Sequence, residues 1–157
     1  HSTQTRIDSL LNSQGNTPVD GFHRELGAIM INHCGISRDA KGLKQGLHDV
    51  ADLEKSFQQE VRVPGEAYGP NAELEKALRV SDFFGLADLM LRDALAREES
   101  CGAHFREEHQ SAEGEALRDD ANFAHIAAWE HNAAGAPIRH AEPLRFTSLK
   151  PSTRSYK

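Results

Sequence analysis

The chain has 157 residues, of which 38% are hydrophobic and 27% charged, and its formal net charge is −6. This length favours one domain with a real hydrophobic core. The acidic balance argues against general nucleic-acid binding, which normally requires a basic face. Two distant cysteines, Cys34 and Cys101, do not form a disulfide framework, so a cytoplasmic setting is expected.

The first residues suggest that the sequence is a piece of a longer protein. It begins with His1 instead of Met, and it lacks the pattern of a signal peptide. Ile7, Leu10 and Leu11 predict a short helical segment before Gly15. Because no stretch approaches 18 consecutive apolar residues, we expect membrane association only through partners.

Two amphipathic helices are predicted next. Thr17 is the expected N-cap and Pro18 the expected first residue of a helix over residues 18–33. Asp39 is the expected N-cap of the second helix, because its carboxylate can accept hydrogen bonds from the free first-turn amides. Apolar residues then recur at helical spacing until the helix stops before Pro64.

A third helix is predicted from Asn71, its expected N-cap, to about Leu95. Its apolar stripe is so wide that contacts on two sides are expected, and the residues that widen it are Val80, Phe83, Leu86, Leu89 and Met90. Short connections favour an antiparallel arrangement. The predicted fold class is therefore all-α, a three-helix bundle with the up-down-up order of a spectrin repeat, followed by an extended, hairpin-like tail.

A dense run of charged residues follows the third helix. Residues 97–120 contain eight acidic and three basic residues, whereas residues 138–157 are basic overall. The acidic segment could pack against the basic one through opposite charges, although charged runs are more often solvated surface.

Cys101 and His104 raise the question of a metal site or a nucleophile, with Glu108 and His109 just beyond them. No second pair of ligands has matching spacing, and a reactive thiol would need an orienting group and a pocket. We favour a hydrogen-bonding histidine at a domain interface and a small cysteine packed in a tight turn. No glycine-rich phosphate-binding loop follows a predicted strand, so the segment is not expected to hold FAD or NAD itself.

The C-terminal part predicts two extended arms, residues 123–131 and 138–146, around a turn-rich loop. A short helix through residues 124–131 is the alternative, and Pro143 limits the second arm to an edge strand. From Thr147 onwards no periodicity remains, so the end is expected to stay loose unless a partner holds it.

Several segments resemble the C-terminal domain of the flavoprotein subunit of succinate dehydrogenase and fumarate reductase. The matching segments are Phe22–Met30, Cys34–Arg38, Gly42–Leu43, Asn71–Leu78 and Glu99–Glu107. The last of these matches the family's Glu-Ser-Arg-Gly-Ala-His signature, with Cys101 where many members carry arginine. L-aspartate oxidase shares a similar element. The ending, Arg118–Phe123, Ala127–Glu130 and Arg154–Lys157, looks like the bacterial branch.

The resemblance implies a supporting, non-catalytic domain over residues 1–120, with a signature turn at residues 97–109 and a tail over residues 121–157. It implies FAD bound by upstream domains, a capping domain, an iron–sulfur subunit, and a membrane anchor or cytochrome b subunit that holds the assembly at the inner face of the cell membrane. It implies no catalytic or metal residue here. The expected interdomain or partner contacts are Glu99, Cys101, His104, Arg106, Arg118, Asp119 and Asp120.

We expect Arg106→Ala to weaken association with the rest of the subunit while leaving the helical bundle folded. At position 101, cysteine cannot supply the bidentate contact of an arginine. The alternatives are a free-standing helical interaction module and, less favoured, a small metal-dependent enzyme.

Overall fold

The structure, a computed structural model, describes residues 3–149 and 151–152. About half of the described residues are helical. The helices are α1 (Thr3–Leu11), α2 (Val19–Cys34), α3 (Ala40–Glu60), α4 (Ala72–Ala96) and α5 (Asp120–Phe123). The strands are β1 (Thr17–Pro18), β2 (Ser37–Arg38), β3 (Val61–Arg62), β4 (Phe105–Arg106), β5 (His125–Glu130) and β6 (Ile138–Pro143). The protein is therefore a helical domain with a small antiparallel sheet and two short parallel pairings.

The three long helices α2, α3 and α4 pack against one another, and α1 packs against α4. Their apolar faces form one core in which Phe57 lies between Phe22 and Phe84, with ring centroids 5.3 and 5.4 Å apart. Such aromatic contacts add to the stabilisation from area burial. The buried apolar residues include Val19, Phe22, Leu26, Leu43, Val50, Leu53, Phe57, Val61, Ala77, Val80, Phe84, Ala87, Leu91 and Ala94.

Two of the three predicted helix caps are confirmed. The Asp39 side chain accepts from the Gly42 amide at 2.8 Å, and the Asn71 side chain accepts from the Leu74 amide at 3.0 Å. The expected cap at Thr17 is wrong, because Pro18 itself is the N-cap and makes no side-chain cap hydrogen bond. Thr17 and Pro18 are instead held extended by parallel pairing with β3.

Helix α4 contacts α1, α2 and α3 and, through Asp93, the hairpin, but its wide apolar surface is buried only in part. Of the five residues that widen it, Val80 is buried and Leu89 is half-buried. One stripe is buried against α2 and α3, but Phe83, Leu86 and Met90 are 38%, 55% and 48% exposed. These three residues, three and four positions apart, form a row on one face of the helix.

The predicted extended arms are confirmed as the antiparallel hairpin β5–β6, in which Trp129 lies opposite Arg139. The alternative helix through residues 124–131 is wrong, because residues 125–130 form β5 and the short helix α5 ends before them, at Phe123. Alternate residues of β5 face the helices, and Trp129 is among them. The second strand ends at Pro143, as expected for a residue without an amide donor. The resemblance at residues 154–157 lies outside the described residues.

Candidate functional site

Residues 97–109 fold into a compact turn against the end of α4. The amides and carbonyls of Cys101 and His104 pair with each other at 2.8 and 3.1 Å. Gly102 between them has a φ of 60°, in the left-handed region that favours glycine. The chain then continues into β4, which pairs in parallel with β2 in the connection between α2 and α3. The charged run is therefore an ordered junction of three helices.

Arg106 lies at the centre of this junction and is 2% exposed. Its Nη1 donates to the carbonyl oxygens of Ala94, Leu95 and Arg97 at 2.9, 3.2 and 3.3 Å. Carbonyls at a helix C-terminus have no partner within the helix. The guanidinium supplies that partner, and its positive charge suits the negative end of the helix dipole.

Glu108 extends the contact to α3. Its Oε2 accepts from Arg106 Nε at 3.2 Å, and its Oε1 accepts from the amide of Ala40, the first residue of α3, at 2.5 Å. Partial burial acts to raise the pKa of Glu108, but hydrogen bonds from the Ala40 amide and Arg106 outweigh it and lower that pKa. The Arg106–Glu108 pair thus joins the C-terminus of α4 to the N-terminus of α3, with each charge at the favourable end of a dipole.

Two further buried residues fix the turn. Glu99, 2% exposed, accepts from Arg97 Nη2 and Nε at 2.6 and 2.8 Å, and from the Asp119 amide at 2.8 Å. Ser100 is fully buried, and its Oγ accepts from the Arg106 amide at 2.8 Å and donates to the Arg106 carbonyl at 3.1 Å. Because every one of these contacts lies within the chain, the turn is held by its own side chains.

His104 is held in one neutral tautomer. Arg38 Nη1 donates to its Nδ1 at 3.3 Å, since a guanidinium can only donate, and its Nε2 therefore carries the proton donated to the Arg97 carbonyl at 2.9 Å. Burial lowers the pKa of His104, and the nearby guanidinium groups act in the same direction, against the hydrogen bond to Arg97. With both ring nitrogens engaged, His104 is a structural hydrogen-bonding residue.

Arg118, Asp119 and Asp120 lie beside the turn. The Asp119 side chain caps α5 by accepting from the Asn122 amide at 3.2 Å. Arg118 pairs with Asp120 through Nε at 3.1 Å, and its Nη1 donates to the Ser152 carbonyl at 3.1 Å. This group therefore links the acidic run to Ser152, the last described residue of the C-terminal tail.

The hairpin docks on α4 through polar contacts. Trp129 Nε1 donates to Asp93 Oδ1 at 2.9 Å. On the next strand Arg139 lies with Nη2 2.8 Å from His125 Nε2 and with Nε 3.8 Å from Asp93. These contacts place the hairpin beside the signature turn.

Four of the seven expected site residues thus come together in one turn, namely Glu99, Cys101, His104 and Arg106. Asp119 joins them through its amide, whereas Arg118 and Asp120 form a separate surface pair. Sequence reasoning missed the parts played by Arg38, Arg97 and Glu108. Arg97 could have been found as a cation directly after a helix, and Glu108 as an acid two residues beyond Arg106. The contact from Arg38 could not, because it depends on a strand pairing of only two residues.

No group of three His, Cys, Asp or Glu in the described part of the chain is placed to hold a metal ion. Across residues 3–149 and 151–152, no helix has the length and apolar character needed to cross a membrane.

The fold and site define a helical domain in which the buried Arg106 and its partner Glu108 join the ends of two helices. The sequence model of the family described as "Fumarate reductase flavoprotein C-term" matches residues 23–156. The chain belongs to this family, as its resemblance predicted.

The chain is similar to full-length flavoproteins. It is 28% identical over 153 residues to the fumarate reductase flavoprotein subunit of Escherichia coli (strain K12), covering 98% of this chain and 25% of the relative. It is 36% identical over 120 residues to L-aspartate oxidase 2 of Ralstonia nicotianae, covering 76% of this chain and 20% of that relative. The chain spans about a quarter of the length of the fumarate reductase relatives that it matches.

A solved structure described as quinol-fumarate reductase with menaquinol molecules has the same fold. Its TM-score is 0.79 at 28% identity, with 95% of this chain and 25% of that chain covered. The similarity therefore extends over nearly the whole chain and only a part of the larger protein.

Proposed function

We propose that this chain is the C-terminal domain of the flavoprotein subunit of an enzyme that interconverts succinate and fumarate. The observation that carries the proposal is the match of one C-terminal family to residues 23–156, together with coverage of only a quarter of each fumarate reductase relative. By itself the domain is inactive, and its role is to pack against the rest of the subunit.

FAD belongs to the upstream part of the full-length subunit. In the described residues the parallel strand pairs are two residues long, too short for the strand and glycine-rich turn that hold a dinucleotide. Electrons pass through an iron–sulfur subunit to a quinone. A membrane anchor or cytochrome b subunit holds the assembly at the cytoplasmic face of the cell membrane. The quinol-fumarate reductase neighbour supports an assembly of this type.

The finer architecture is an antiparallel up-down-up bundle over residues 1–120, with residues 121–157 as a tail packed beside it. The parallel pairing of β1 with β3 supports this arrangement, because it places the start of α2 beside the end of α3. The hydrogen bond from Trp129 to Asp93 supports the packing of the tail on α4.

The signature turn and the adjacent residues 118–120 contribute to partner contact in two ways. Cys101, His104, Arg118, Asp119 and Asp120 keep exposed surface and can meet a neighbouring domain or subunit directly. The buried side chains of Glu99 and Arg106 act indirectly, by fixing the shape of the turn.

Co-purification tests the proposal. The tagged 157-residue chain is expressed with the untagged upstream part of its gene and with the candidate iron–sulfur subunit. The expected result is a yellow assembly with succinate-dye reductase activity that forms only when the chain is present. A stable, colourless chain that binds neither partner would overturn the proposal and favour a free-standing interaction module.

A further inference from the structure

A groove of about 450 Å³ lies between α4, the end of α2 and strand β5. One wall is apolar and carries Leu86 and Met90, which are 55% and 48% exposed, with Leu89 beside them. Exposed aliphatic side chains in one row are costly to leave in water and commonly mark a binding surface. Leu86 and Met90 of this wall belong to the exposed row of α4, whose third member, Phe83, lies outside the groove.

The other end of the groove is polar and positively charged. It is lined by Arg38, Arg97 and His104, and His104 is neutral in its observed hydrogen-bonding arrangement. Arg97 is 34% exposed although one of its faces pairs with the buried Glu99. The groove thus combines an apolar wall with guanidinium groups that can still meet an anion from outside.

A second cavity of about 270 Å³ adjoins the groove and adds another guanidinium. It shares Asp93, Arg97 and Ala127 with the groove and is also lined by Arg139. The Nε of Arg139 is buried without a hydrogen-bond partner, 3.8 Å from Asp93. The linings of the two cavities contain three guanidinium groups and one carboxylate, that of Asp93, on a chain whose net charge is −6. The buried Glu99 lies behind Arg97, with which it pairs, and lines neither cavity.

We propose that this groove binds an apolar segment bearing a carboxylate side chain, from the part of the subunit that precedes this domain. The proposal rests on the proposed function, since it requires the chain to be one domain of a longer polypeptide. Charge complementarity selects the acidic residue. The upstream part of the subunit is the proposed source of this segment, because about three quarters of the length of the relatives lies outside the match.

The first test is photocrosslinking in the full-length, flavin-bearing subunit. Met90 is replaced by p-benzoylphenylalanine, and the crosslinked peptides are identified by mass spectrometry. The control places the same group at Tyr68, which is 92% exposed in the α3–α4 connection. The expected product from position 90 is one upstream segment containing an Asp or Glu next to apolar residues, and position 68 should not yield it.

The second test changes the sign of the charge in the groove. Leu86→Glu and Leu86→Lys remove the same apolar side chain, but only the glutamate repels an incoming carboxylate. In the full-length subunit, limited proteolysis should release the domain about tenfold faster for Leu86→Glu and about twofold faster for Leu86→Lys. Equal rates for the two variants would overturn the assignment of an acidic segment.

The remaining outcomes separate the two proposals. A flavin-bearing subunit that crosslinks from position 90 to a second copy, to another subunit, or to nothing would overturn the groove assignment and leave the proposed function intact. A full-length protein that binds no flavin would contradict the proposed function itself.

Discussion

Replacing Arg106 with alanine should destabilise this domain strongly. The guanidinium is 2% exposed, donates to three carbonyls at the end of α4 and pairs with Glu108. Hydrogen bonds to a charged group contribute about 1.5–3 kcal/mol each when both partners are well placed. The three carbonyls share one nitrogen, so their contributions do not add, and we expect a total loss of about 3–5 kcal/mol.

This loss is a substantial fraction of the free energy of unfolding of a typical domain, about 5–15 kcal/mol. Urea denaturation followed by circular dichroism measures it, and with a slope of about 2 kcal/mol per molar the midpoint should fall by about 1.5–2.5 M. The burial of Arg106 changes the expectation from the sequence, in which Arg106→Ala weakened association with the rest of the subunit and left the bundle folded. A buried side chain cannot be removed without affecting the fold that surrounds it.

Arg79→Ala is the matched control. Arg79 pairs with Glu75 one helical turn away at 2.7 Å, and both side chains are about two-thirds exposed. Such exposed pairs contribute less than about 0.5 kcal/mol. Arg106→Lys keeps the charge but loses the planar fork, so its midpoint should lie between those of the wild type and Arg106→Ala. If Arg106→Ala and Arg79→Ala unfold at the same urea concentration, the bridge between α3 and α4 contributes nothing.

Three further predictions concern single contacts. The lowered pKa of His104 means that the unfolded chain binds this proton more readily, so stability should fall as the pH drops below about 6.5 and level off below the folded-state pKa. Denaturation of wild type and His104→Asn across this range measures the difference. Ser100→Ala leaves the buried Arg106 amide without its acceptor and should cost about 1–3 kcal/mol in the same assay. Trp129→Phe removes the hydrogen bond to Asp93, should cost about 1 kcal/mol, and should speed amide exchange in the hairpin.

Each of these three predictions has its own control or contradicting outcome. A His104→Asn variant with the same pH dependence as the wild type would show that another group titrates. Ser111→Ala, in the loop that follows the turn, is the control for Ser100→Ala and should have the smaller effect. For the hairpin, Ile126→Thr changes a residue that is 57% exposed and should leave amide exchange nearly unchanged.

Local sequence signals predicted most of the fold. The long helices follow from apolar periodicity and from caps at Asp39 and Asn71, because each cap satisfies amides only three residues away. The hairpin follows from two arms around a turn-rich loop. These features depend on neighbours along the chain, and such neighbours are visible in the sequence.

The site was predicted less completely. The signature segment was found through its family resemblance, but the burial of Glu99 and Arg106 was not expected, since charged residues are almost never fully buried unless paired. The partners of Arg106 are carbonyls at the end of α4 and the Glu108 carboxylate, and those of Glu99 are the Arg97 guanidinium and the Asp119 amide. No periodicity in the sequence indicates that these groups meet.

The sequence by itself determined where α3 and α4 begin, which faces of the long helices are apolar, and which family the chain resembles. Only the tertiary structure decided which stripe of α4 is buried and which charges lose their contact with water. The reason is physical: caps and periodicity act over three or four residues, whereas burial of Arg106 requires α3, α4 and β2 to converge on it.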